Sequence, residues 1–326
     1  MAGAVPIRRA EIKSLATYVP PRLLTNADLE RMVDTSDEWI RTRTGIERRH
    51  IAADGETTSD LAYHASLAAL ESAGVSPADI DLILVGTTTP DLIFPNVACL
   101  LQEKLGVRSG PAFGIEAACS GFLYSLATAD QFVRSGQAKR ALVVGAETMS
   151  RIVDWTDRET CVLFGDGAGA VVLEQSEEPG IIYSKLGADG RYRELLYAST
   201  GVSTRPTAGD VPALRMKGHE VFKVAVKTLE GMVDEVMEAN QLDKGAIDWL
   251  IPHQANIRII KATAKRLQMP MERVILTVQE HGNTSAASVP MALDVAIEDG
   301  RVKRGDLLLL EAFGGGFTWG ASLIRY

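Results

Sequence analysis

The stretch that decides the fold reads A-D-I-D-L-I-L-V-G at residues 78–86, and its pattern returns as G-A-I-D-W-L-I-P-H at residues 245–253. Each stretch follows a long helical pattern and contains the continuous apolar run of a strand that is buried on both faces of its sheet. A second pair of matches, Q-E-K-L-G-V at residues 102–107 and A-K-R-L-Q-M at residues 264–269, follows in the same order. Because order and spacing agree, the sequence predicts a duplicated βα unit.

Alternating helix and strand patterns surround these matches, and they predict a largely parallel sheet with helical layers. Residues 181–218 are polar and dotted with glycine, so they are predicted to form long loops over one face. The glycine cluster within residues 163–173 leads into a strand, so it is predicted to be a turn and not a nucleotide-binding loop. The predicted helices are residues 59–74, 97–105, 122–133, 220–240 and 256–268, and the predicted strands are residues 80–85, 141–145 and 247–251, with one more at Phe113.

The composition is that of an ordinary globular protein of 326 residues with 46% hydrophobic residues, enough for one large domain or two smaller ones. A net charge of −8 and a pI of about 5.3 argue against nonspecific binding to nucleic acid or to an anionic membrane surface. Three cysteines without a C-x-x-C pair favour a reducing compartment, and neither a disulfide framework nor a zinc site is expected. The protein is expected to be soluble and cytoplasmic, because no stretch has the length and apolarity of a signal peptide or a membrane span.

Cys119 lies near the centre of G-I-E-A-A-C-S-G-F-L-Y, residues 114–124, where its small neighbours leave room for a substrate. The residues that follow predict a buried helix. Cys119 is therefore placed at a helix start, where the helix dipole and free backbone N–H groups favour the nucleophilic thiolate. A cysteine in such surroundings can also be no more than a small buried apolar residue. Aligning the two copies by Gly136 and Gly300 puts Cys119 in register with Asn283.

Two polar residues of the second copy are candidates for the same site. His253 ends the apolar strand in I-P-H-Q-A-N, at the strand end where open α/β sheets bind ligands. Asn283, in H-G-N-T-S-A-A-S, is expected in the loop before a helix that contains Pro290 near its start. Each has a structural alternative, namely a hydrogen-bonded histidine or an asparagine that completes a turn. If the copies stack about a pseudo-twofold axis, Cys119, His253 and Asn283 converge.

A cysteine with two uncharged donors, imidazole and amide, suits thioester chemistry. The cysteine takes an acyl group, and the donors stabilise an enolate formed by loss of CO₂. A cysteine protease is the alternative, but the C-G-S-C-W signature of papain-like enzymes is absent. The glycine run F-G-G-G-F-T-W-G-A at residues 313–321 could complete an oxyanion hole with the Cys119 amide, or it could serve only tight strand packing.

A tryptophan and two arginines share the segment D-T-S-D-E-W-I-R-T-R-T-G-I at residues 34–46. The indole of Trp39 beside the guanidinium groups of Arg41 and Arg43 can grip a planar, phosphorylated ligand. A helix end with surface charge is the alternative, and the segment on its own favours it.

The predicted helix 256–268 is apolar on one face and basic on the other, where Arg258, Lys261 and Lys265 lie with Arg266 adjacent. A basic face beside the candidate site of an acidic protein indicates docking of an acidic partner. Ordinary solvated charge is the alternative.

Five motifs together resemble those of the β-ketoacyl-[acyl-carrier-protein] synthase III family, the initiating condensing enzymes of bacterial type II fatty acid synthesis. They are V-D-T-S-D-E-W-I, A-A-C-S-G-F, P-H-Q-A-N, H-G-N-T-S-A-A-S and F-G-G-G-F-T-W-G, and the resemblance runs from Tyr18 to Tyr326. It implies an α/β fold, the thiolase-like duplicated five-layer αβαβα sandwich. Residues 1–177 would form the half that carries the nucleophile and residues 178–326 the half that carries His253 and Asn283. It also implies a homodimer.

The resemblance further implies roles for individual residues. The nucleophile falls on Cys119, the decarboxylation pair on His253 and Asn283, and the oxyanion amides on Cys119 and Gly315. Coenzyme A binding falls on Trp39, Arg43, Arg158 and Asn256, the position that limits primer size on Phe94, and carrier-protein docking on Arg258, Lys261, Lys265 and Arg266.

The implied reaction is a decarboxylative condensation by a ping-pong cycle. Cys119 is acylated by an acyl-CoA, with acetyl-CoA favoured by the aromatic Phe94. Malonyl-[acyl-carrier protein] is then decarboxylated and condensed to 3-oxoacyl-[acyl-carrier protein]. No metal or redox cofactor is expected, coenzyme A enters only as a substrate thioester, and neither nucleic acid nor membrane is an expected partner. The alternatives are a related condensing enzyme of secondary metabolism with another primer or acceptor, and a cysteine thioester hydrolase. The longer N-terminus and residues 204–214 depart from the family pattern.

Overall fold

Two large β-sheets, two small two-stranded sheets and three layers of helices make up the described part of the chain, and the computed structural model describes residues 8–199, 201–204 and 213–326. Most of the divergent segment 204–214, and the first residues of the N-terminus, lie outside the described residues. The strands are β1 (Arg9–Tyr18), β2 (Arg22–Thr25), β3 (Arg48–Ile51), β4 (Leu82–Gly86), β5 (Ala112–Ile115), β6 (Arg140–Thr148), β7 (Asp166–Ser176), β8 (Ile181–Ala188), β9 (Leu196–Ala198), β10 (Leu214–Met216), β11 (Trp249–Pro252), β12 (Leu307–Gly314) and β13 (Thr318–Arg325). The helices are α1 (Asn26–Leu29), α2 (Asp37–Thr44), α3 (Thr58–Ala73), α4 (Val97–Leu105), α5 (Gly121–Ser135), α6 (Gly218–Ala239), α7 (Ile257–Leu267), α8 (Val278–His281) and α9 (Ser288–Glu298).

The predicted duplication is seen in the order of the strands. One sheet runs β1-β7-β6-β4-β5 and the other runs β8-β13-β12-β11, so each strand of the second sheet has a counterpart at the same place in the first. Val274 forms an isolated parallel bridge to Leu250 of β11, at the place that β5 holds beside β4. The predicted boundary between residues 177 and 178 falls between β7 and β8. As a division into domains, it stays a prediction.

The prediction of a largely parallel sheet is wrong, because both sheets are mixed. In the first, β4 is parallel to β5 and β6, but β7 is antiparallel to β6 and β1. In the second, β11 and β12 are parallel, whereas β13 is antiparallel to β12 and β8. An alternation of helix and strand patterns predicts parallel pairing only for strands that are joined by a helix. Strands such as β12 and β13, which follow each other after a short turn, pair antiparallel.

Residues 181–218 also differ from their predicted loops. They include β8, which lies at the edge of the second sheet, and β9 and β10, which form a small two-stranded sheet. Most of β8 is only half-buried. A strand in that position lacks the apolar run by which the central strands were predicted.

Five layers arise because each sheet is covered on both faces. Helices α3 and α4 pack on the outer face of the first sheet, and α6 and α7 pack on the outer face of the second. Between the sheets lie α5 and α9, whose apolar side chains share one buried cluster with residues of both sheets. This middle layer carries Phe122 and Leu126 from α5 and Val289 and Leu293 from α9, all nearly inaccessible to solvent.

Close approach between the sheets and the middle helices depends on glycine. The stretch that decides the fold ends at Gly86, where a Cβ would lie 2.5 Å from the backbone carbon of Gly121 at the start of α5. Gly169 lies within β7, so the prediction that the glycine cluster is a turn is wrong. A Cβ there would lie 2.7 Å from the Pro290 Cβ of α9. These glycines therefore let both middle helices seat directly on the first sheet.

Candidate active site

A cavity of about 1560 Å³ brings the predicted catalytic residues together. Cys119 from the first copy and His253 and Asn283 from the second all line it, and so does Gly315 of the glycine run. The fold explains this meeting, because Cys119 precedes α5, Asn283 precedes α9, and these helices form the middle layer. Both copies therefore contribute to one site.

The backbone around the cysteine is strained and held in place. Cys119 lies in the 3₁₀ turn Ala118–Ser120 directly before α5. The φ angle of Ala118 is 46°, a left-handed conformation that costs a residue other than glycine about 1–3 kcal/mol. Thr318 donates its hydroxyl proton to the Ala117 carbonyl at 2.7 Å, which fastens this turn to the start of β13. The turn that carries Cys119 is thus held in place from the second copy.

The glycine run meets the cysteine at the end of β12. A Cβ on Gly314 would lie 2.6 Å from the Cys119 backbone nitrogen, so tight packing explains this glycine. Gly315, one residue further, lines the cavity. The role of the Gly315 and Cys119 amides as an oxyanion hole stays a prediction that this proximity favours.

The Cys119 thiol is neutral in the folded chain. Burial raises the pKa of the thiol to about 12, with the nearby Ser285 side chain acting in the opposite direction and the Glu147 carboxylate in the same direction. The prediction that a helix start makes Cys119 a thiolate is therefore wrong, because loss of hydration outweighs the helix dipole. Attack on a thioester must include removal of the thiol proton.

His253 is a buried, neutral imidazole at the end of β11. Its backbone N–H donates to the Glu311 carbonyl at 2.7 Å, and its Nδ1 lies 2.5 Å from the Ser288 hydroxyl. Burial lowers the pKa of His253 to about 3, so the ring is uncharged at neutral pH. This confirms the prediction of a neutral imidazole, and the histidine is also hydrogen-bonded, as its structural alternative required.

The turn that follows His253 is locked by the next residue, Gln254. Its side-chain NH₂ donates to the Pro252 and Ile275 carbonyls at 2.7 and 3.1 Å. Its side-chain oxygen accepts from the backbone N–H groups of Thr277 and Val278 at 2.9 and 3.1 Å. A buried amide that is satisfied on both sides fixes the backbone which carries the imidazole.

Asn283 combines the two roles that the sequence left open. Its side-chain oxygen accepts from the Ser285 backbone N–H at 2.9 Å and so completes a turn. Its own backbone N–H donates to the Leu163 carbonyl at 2.8 Å, and its carbonyl accepts from the Gly165 N–H at 3.0 Å. Because the oxygen is engaged, the NH₂ group is the part of the amide that remains for a ligand in the cavity.

Ser285 connects this asparagine to a buried carboxylate. Its φ angle of 50° is left-handed, like that of Ala118 beside the nucleophile. The Ser285 hydroxyl donates to Glu147 at 3.0 Å, and Glu147 also accepts from hydroxyl and backbone N–H groups of residues 87–89 at 2.6–3.3 Å. Burial raises the pKa of Glu147 against these donors. The network holds Ser285, and through it Asn283, against the end of β6.

Trp39 forms a clamp with two arginines. The guanidinium carbons of Arg43 and Arg158 lie 5.0 and 4.7 Å from the centre of the indole ring, and Asp34 is 3.5 Å from Arg158. Trp39, Arg43 and Asn256 line the cavity, which joins the clamp to the cysteine. Since Arg158 already contacts the indole, a base stacked between them would require Arg158 to move outward.

Phe94 is outside the cavity of the single chain, contrary to a primer pocket built within one copy. Its side chain is 83% exposed, whereas its neighbour Ile93 lines the cavity. Leu92 and Ile93 are 50% and 71% exposed, so the three residues form one apolar surface patch. Any contact between Phe94 and a bound primer needs a further surface to cover this patch.

The basic face of α7 is only partly free. Arg266 pairs with Asp234 of α6, and the Arg258 guanidinium lies 4.9 Å from the centre of the Phe222 ring. Lys261 and Lys265 are exposed and form no ion pair within the described residues. The docking role of these four cations stays a prediction, and Arg266 differs from the two lysines in already having a carboxylate partner.

Glu311 is a buried carboxyl that the sequence analysis did not single out. It is 1% exposed on β12, it lines the cavity, and neither side-chain oxygen has a hydrogen-bond partner within the described part of the chain. Burial raises the pKa of Glu311 from 4.5 to about 8. Between pH 4.5 and pH 8, Glu311 is therefore protonated in the folded protein and ionised in the unfolded chain.

Glu311→Gln is expected to change how stability depends on pH. The contribution of Glu311 to the stability of the wild-type protein should fall as pH rises from 4.5 to 8, because at this site the unfolded chain then binds fewer protons than the folded protein, and the glutamine variant lacks this contribution. The free energy of unfolding of the variant relative to wild type should stay constant below about pH 4.5 and rise by up to about 4 kcal/mol toward pH 8.5. Denaturant unfolding across this range measures it. Parallel curves for the two proteins would contradict the buried acid.

Several residues that build the site were missed from the sequence. Gln254, Ser285 and Ser288 lie inside the quoted motifs P-H-Q-A-N and T-S-A-A-S, and their polar side chains next to buried positions were the available signal. Glu147 follows the apolar run of β6, and an acid at the end of a buried strand is an equivalent signal. None of them was recognised, because only tertiary contacts reveal which backbone groups they satisfy.

No helix among the described residues is long and apolar enough to cross a membrane. Within the same residues, no group of three or more His, Cys, Asp or Glu side chains is arranged to hold a metal ion.

Comparison with known proteins gives consistent matches. A family model for 3-oxoacyl-[acyl-carrier-protein (ACP)] synthase III matches residues 113–190, and the model for its C-terminal part matches residues 237–326. A β-ketoacyl-[acyl-carrier-protein] synthase III of Xylella fastidiosa is 64% identical over 318 residues, which cover 97% of this chain and 98% of the relative. The crystal structure of 3-oxoacyl-[acyl-carrier-protein] synthase III from Aquifex aeolicus is 50% identical with a TM-score of 0.92, covering 97% of this chain and 100% of that one. The priming β-ketosynthase of the R1128 polyketide biosynthetic pathway is 37% identical with a TM-score of 0.94, covering 99% and 98%.

Proposed function

This chain belongs to the β-ketoacyl-[acyl-carrier-protein] synthase III family, and we infer that it catalyses the family's decarboxylative condensation of an acyl-CoA with malonyl-[acyl-carrier protein]. It is an acyltransferase of the condensing type with the thiolase-like fold. The products are 3-oxoacyl-[acyl-carrier protein], coenzyme A and CO₂. The reaction begins fatty acid synthesis.

The main support for this assignment is that Cys119, His253 and Asn283 line the same cavity. The cysteine supplies the nucleophile, and the two others supply neutral N–H donors. Two N–H donors suit an enolate, because they stabilise the negative charge that develops on the thioester oxygen. The three residues are therefore proposed as the catalytic set.

Two half-reactions share this set. In the first, the Cys119 thiol attacks the acyl-CoA carbonyl while the Cys119 and Gly315 amides hold the oxyanion, and coenzyme A leaves as the free thiol with the proton that Cys119 gives up. In the second, malonyl-[acyl-carrier protein] loses CO₂ while its thioester oxygen accepts from His253 and Asn283. The enolate carbon then attacks the acyl-enzyme and frees Cys119.

The coenzyme A moiety is proposed to bind along the part of the cavity that runs from Trp39 to Cys119. The Trp39 indole and the Arg158 guanidinium would stack on the adenine, and Arg43 would pair with the phosphates. Asn256 accepts the Arg258 backbone N–H at 2.8 Å and keeps its NH₂ group for the pantetheine arm. Arg158 would have to move off the indole to admit the adenine.

The carrier protein is proposed to dock on the exposed part of the α7 basic face, and Lys265→Glu tests this. The variant should raise KM for malonyl-[acyl-carrier protein] about tenfold, because one reversed charge at a complementary interface costs about 1.4 kcal/mol. Acetylation by acetyl-CoA should change less than about twofold, since α7 charge steers only the protein substrate. Steady-state assays with each substrate varied provide the measurement.

The matched control is Lys303→Glu, which makes the same charge change at an exposed lysine in the turn before β12. It should leave both KM values unchanged. Lys265 is preferred to Arg266 because Arg266→Glu would also place a second carboxylate beside Asp234. Equal losses with both substrates after Lys265→Glu would rule out this docking face.

A homodimer is proposed from the apolar patch of Leu92, Ile93 and Phe94. Exposed contiguous apolar surface of this kind marks an interaction site. Because Ile93 also lines the cavity, a second copy on this patch would lie at the edge of the site, where Phe94 could limit primer size. Sedimentation equilibrium should give twice the chain mass of 35.1 kDa, and a monomer at micromolar concentration would exclude this arrangement.

Acetyl-CoA is the proposed primer, no metal or redox cofactor is proposed to take part, and the cytoplasm is the proposed location. The decisive experiment incubates the protein with acyl-CoAs of different length, follows intact mass, and then adds malonyl-[acyl-carrier protein]. One acetyl group should appear on Cys119 and be discharged as 3-oxobutanoyl-[acyl-carrier protein]. Preference for a longer acyl group would favour a condensing enzyme of secondary metabolism, and release of free acid without the malonyl substrate would indicate a hydrolase.

A further inference from the structure

Ser288 is a buried serine that contacts the His253 ring and has no assigned role. It is the first residue of α9 and is 1% exposed. Its hydroxyl oxygen lies 2.5 Å from His253 Nδ1, and it accepts the Gln254 backbone N–H at 3.3 Å. The two contacts come from His253 and Gln254, which are consecutive residues in the turn after β11. Ser288 therefore contacts both a side chain and a backbone N–H of this turn.

The donors and acceptors around the Ser288 hydroxyl indicate the direction of its hydrogen bond with His253. A hydroxyl has one proton to donate and two lone pairs that accept. The Gln254 N–H can only donate, so it occupies one lone pair of the Ser288 oxygen. Within the described residues the only acceptor that the Ser288 hydroxyl meets is His253 Nδ1. This count favours Nδ1 as the acceptor, which places the ring proton of the neutral imidazole on Nε2.

We propose that Ser288 is a positioning residue that holds His253 as the Nε2–H tautomer, with this N–H directed at the thioester oxygen of the malonyl substrate. The proposal deepens the assigned condensation and rests on it. Ser288 touches neither substrate nor reacting atoms. It acts by deciding which ring nitrogen carries the proton.

The consequence for the reaction follows from charge. During decarboxylation the thioester oxygen gains negative charge, which an N–H donor stabilises and a nitrogen lone pair repels. The opposite tautomer would present the Nε2 lone pair beside the Asn283 donor and cancel part of its effect. Without the Ser288 hydroxyl the two tautomers would interchange, and only a fraction of the molecules would be competent for the second half-reaction.

The direct test is the ¹⁵N NMR spectrum of the His253 ring in ¹⁵N-histidine-labelled protein. The His253 signals are identified by their loss in His253→Ala, and the other four histidines of the chain serve as internal references. Wild type should show a protonated Nε2 and an unprotonated Nδ1 at neutral pH, and Ser288→Ala should show both tautomers. A protonated Nδ1 in wild type, or an unchanged tautomer in Ser288→Ala, would overturn the proposal, whatever the activity of the protein.

Kinetics separate positioning from a general structural role. Ser288→Ala should lower kcat for condensation roughly tenfold, while the rate of Cys119 acetylation stays within about twofold of wild type. Ser288→Thr keeps the hydroxyl and should restore both the single tautomer and most of kcat. Equal losses in the two half-reactions, or failure of threonine to rescue, would contradict the proposal. If wild type itself neither acetylates nor condenses, the assigned function fails, and the NMR result still decides the tautomer.

Discussion

Asn283→Ala is expected to stop condensation while acetyl transfer to Cys119 continues near the wild-type rate. The Asn283 side-chain oxygen is engaged by the Ser285 N–H at 2.9 Å, so its NH₂ group is the donor left for the enolate oxygen. Removing one donor of this kind costs about 100- to 1000-fold in kcat. Acetyl transfer uses the thiol and the backbone amides instead. Intact-mass spectrometry with acetyl-CoA alone, followed by addition of malonyl-[acyl-carrier protein], separates the two rates.

Asn283→Ala removes both the NH₂ donor and the oxygen that accepts the Ser285 N–H, so a second variant is needed to separate these two losses. Asn283→Asp keeps an oxygen for the Ser285 N–H but replaces the NH₂ donor with a negatively charged oxygen, so it should be at least as inactive in condensation as alanine. Asn240→Ala is the matched control, because Asn240 ends α6 and donates to the Val236 carbonyl at 2.8 Å. If Asn283→Asp condensed at the wild-type rate, the turn would be the only role of this asparagine.

The convergence of these residues could be predicted because it depends on local signals that repeat. Apolar runs located β4 and β11, and the spacing to Gly136 and Gly300 aligned Cys119 with Asn283. Both glycines have a φ angle of 76°, but the alignment was three residues out. The left-handed Ala118 corresponds to the left-handed Ser285, so Cys119 corresponds to Ala286, and Asn283 reaches the same cavity from three residues earlier. Left-handed helix ends demand glycine, so they are visible in sequence without knowledge of the fold.

The electrostatic state of the site could not be predicted in the same way. A helix start indicated a thiolate at Cys119, but burial between two sheets raises the thiol pKa, and burial is a tertiary property. The same reason applies to Arg266, whose partner Asp234 lies 32 positions away in sequence on a different helix. Residue type and spacing thus located the groups, whereas their charges depended on neighbours that only the fold supplies.

Hydrogen-bond direction is a further property that sequence leaves undetermined. His253 was predicted as a neutral donor, and it is neutral, but which nitrogen donates depends on the Ser288 hydroxyl and the Gln254 N–H. Both residues stand in motifs that were already recognised. Their function became visible only when α9 and the end of β11 were seen in contact.

Cys119→Ala is expected to abolish both acetylation and condensation, with a loss of at least about 10,000-fold, because no other group in the cavity replaces the covalent intermediate. The variant should nevertheless convert malonyl-[acyl-carrier protein] to acetyl-[acyl-carrier protein]. Decarboxylation needs His253 and Asn283, and both keep their hydrogen bonds in the absence of the sulfur. Mass spectrometry of the carrier protein distinguishes this product from the 3-oxobutanoyl form made by wild type.

The other two cysteines provide matched controls for this experiment. Cys161 is fully buried and Cys99 is half-buried on α4, and neither lines the cavity. Cys99→Ala and Cys161→Ala should keep acetylation, so the acetyl group is assigned to one sulfur. Acetylation of Cys119→Ala would place the nucleophile elsewhere. Loss of malonyl decarboxylation in that variant, with its fold intact by circular dichroism, would show that the thiol itself takes part in the second half-reaction. The assignment of one half-reaction to Cys119 and the other to His253 and Asn283 would then be wrong. The sulfur would act in both half-reactions, and His253 with Asn283 would not suffice for decarboxylation.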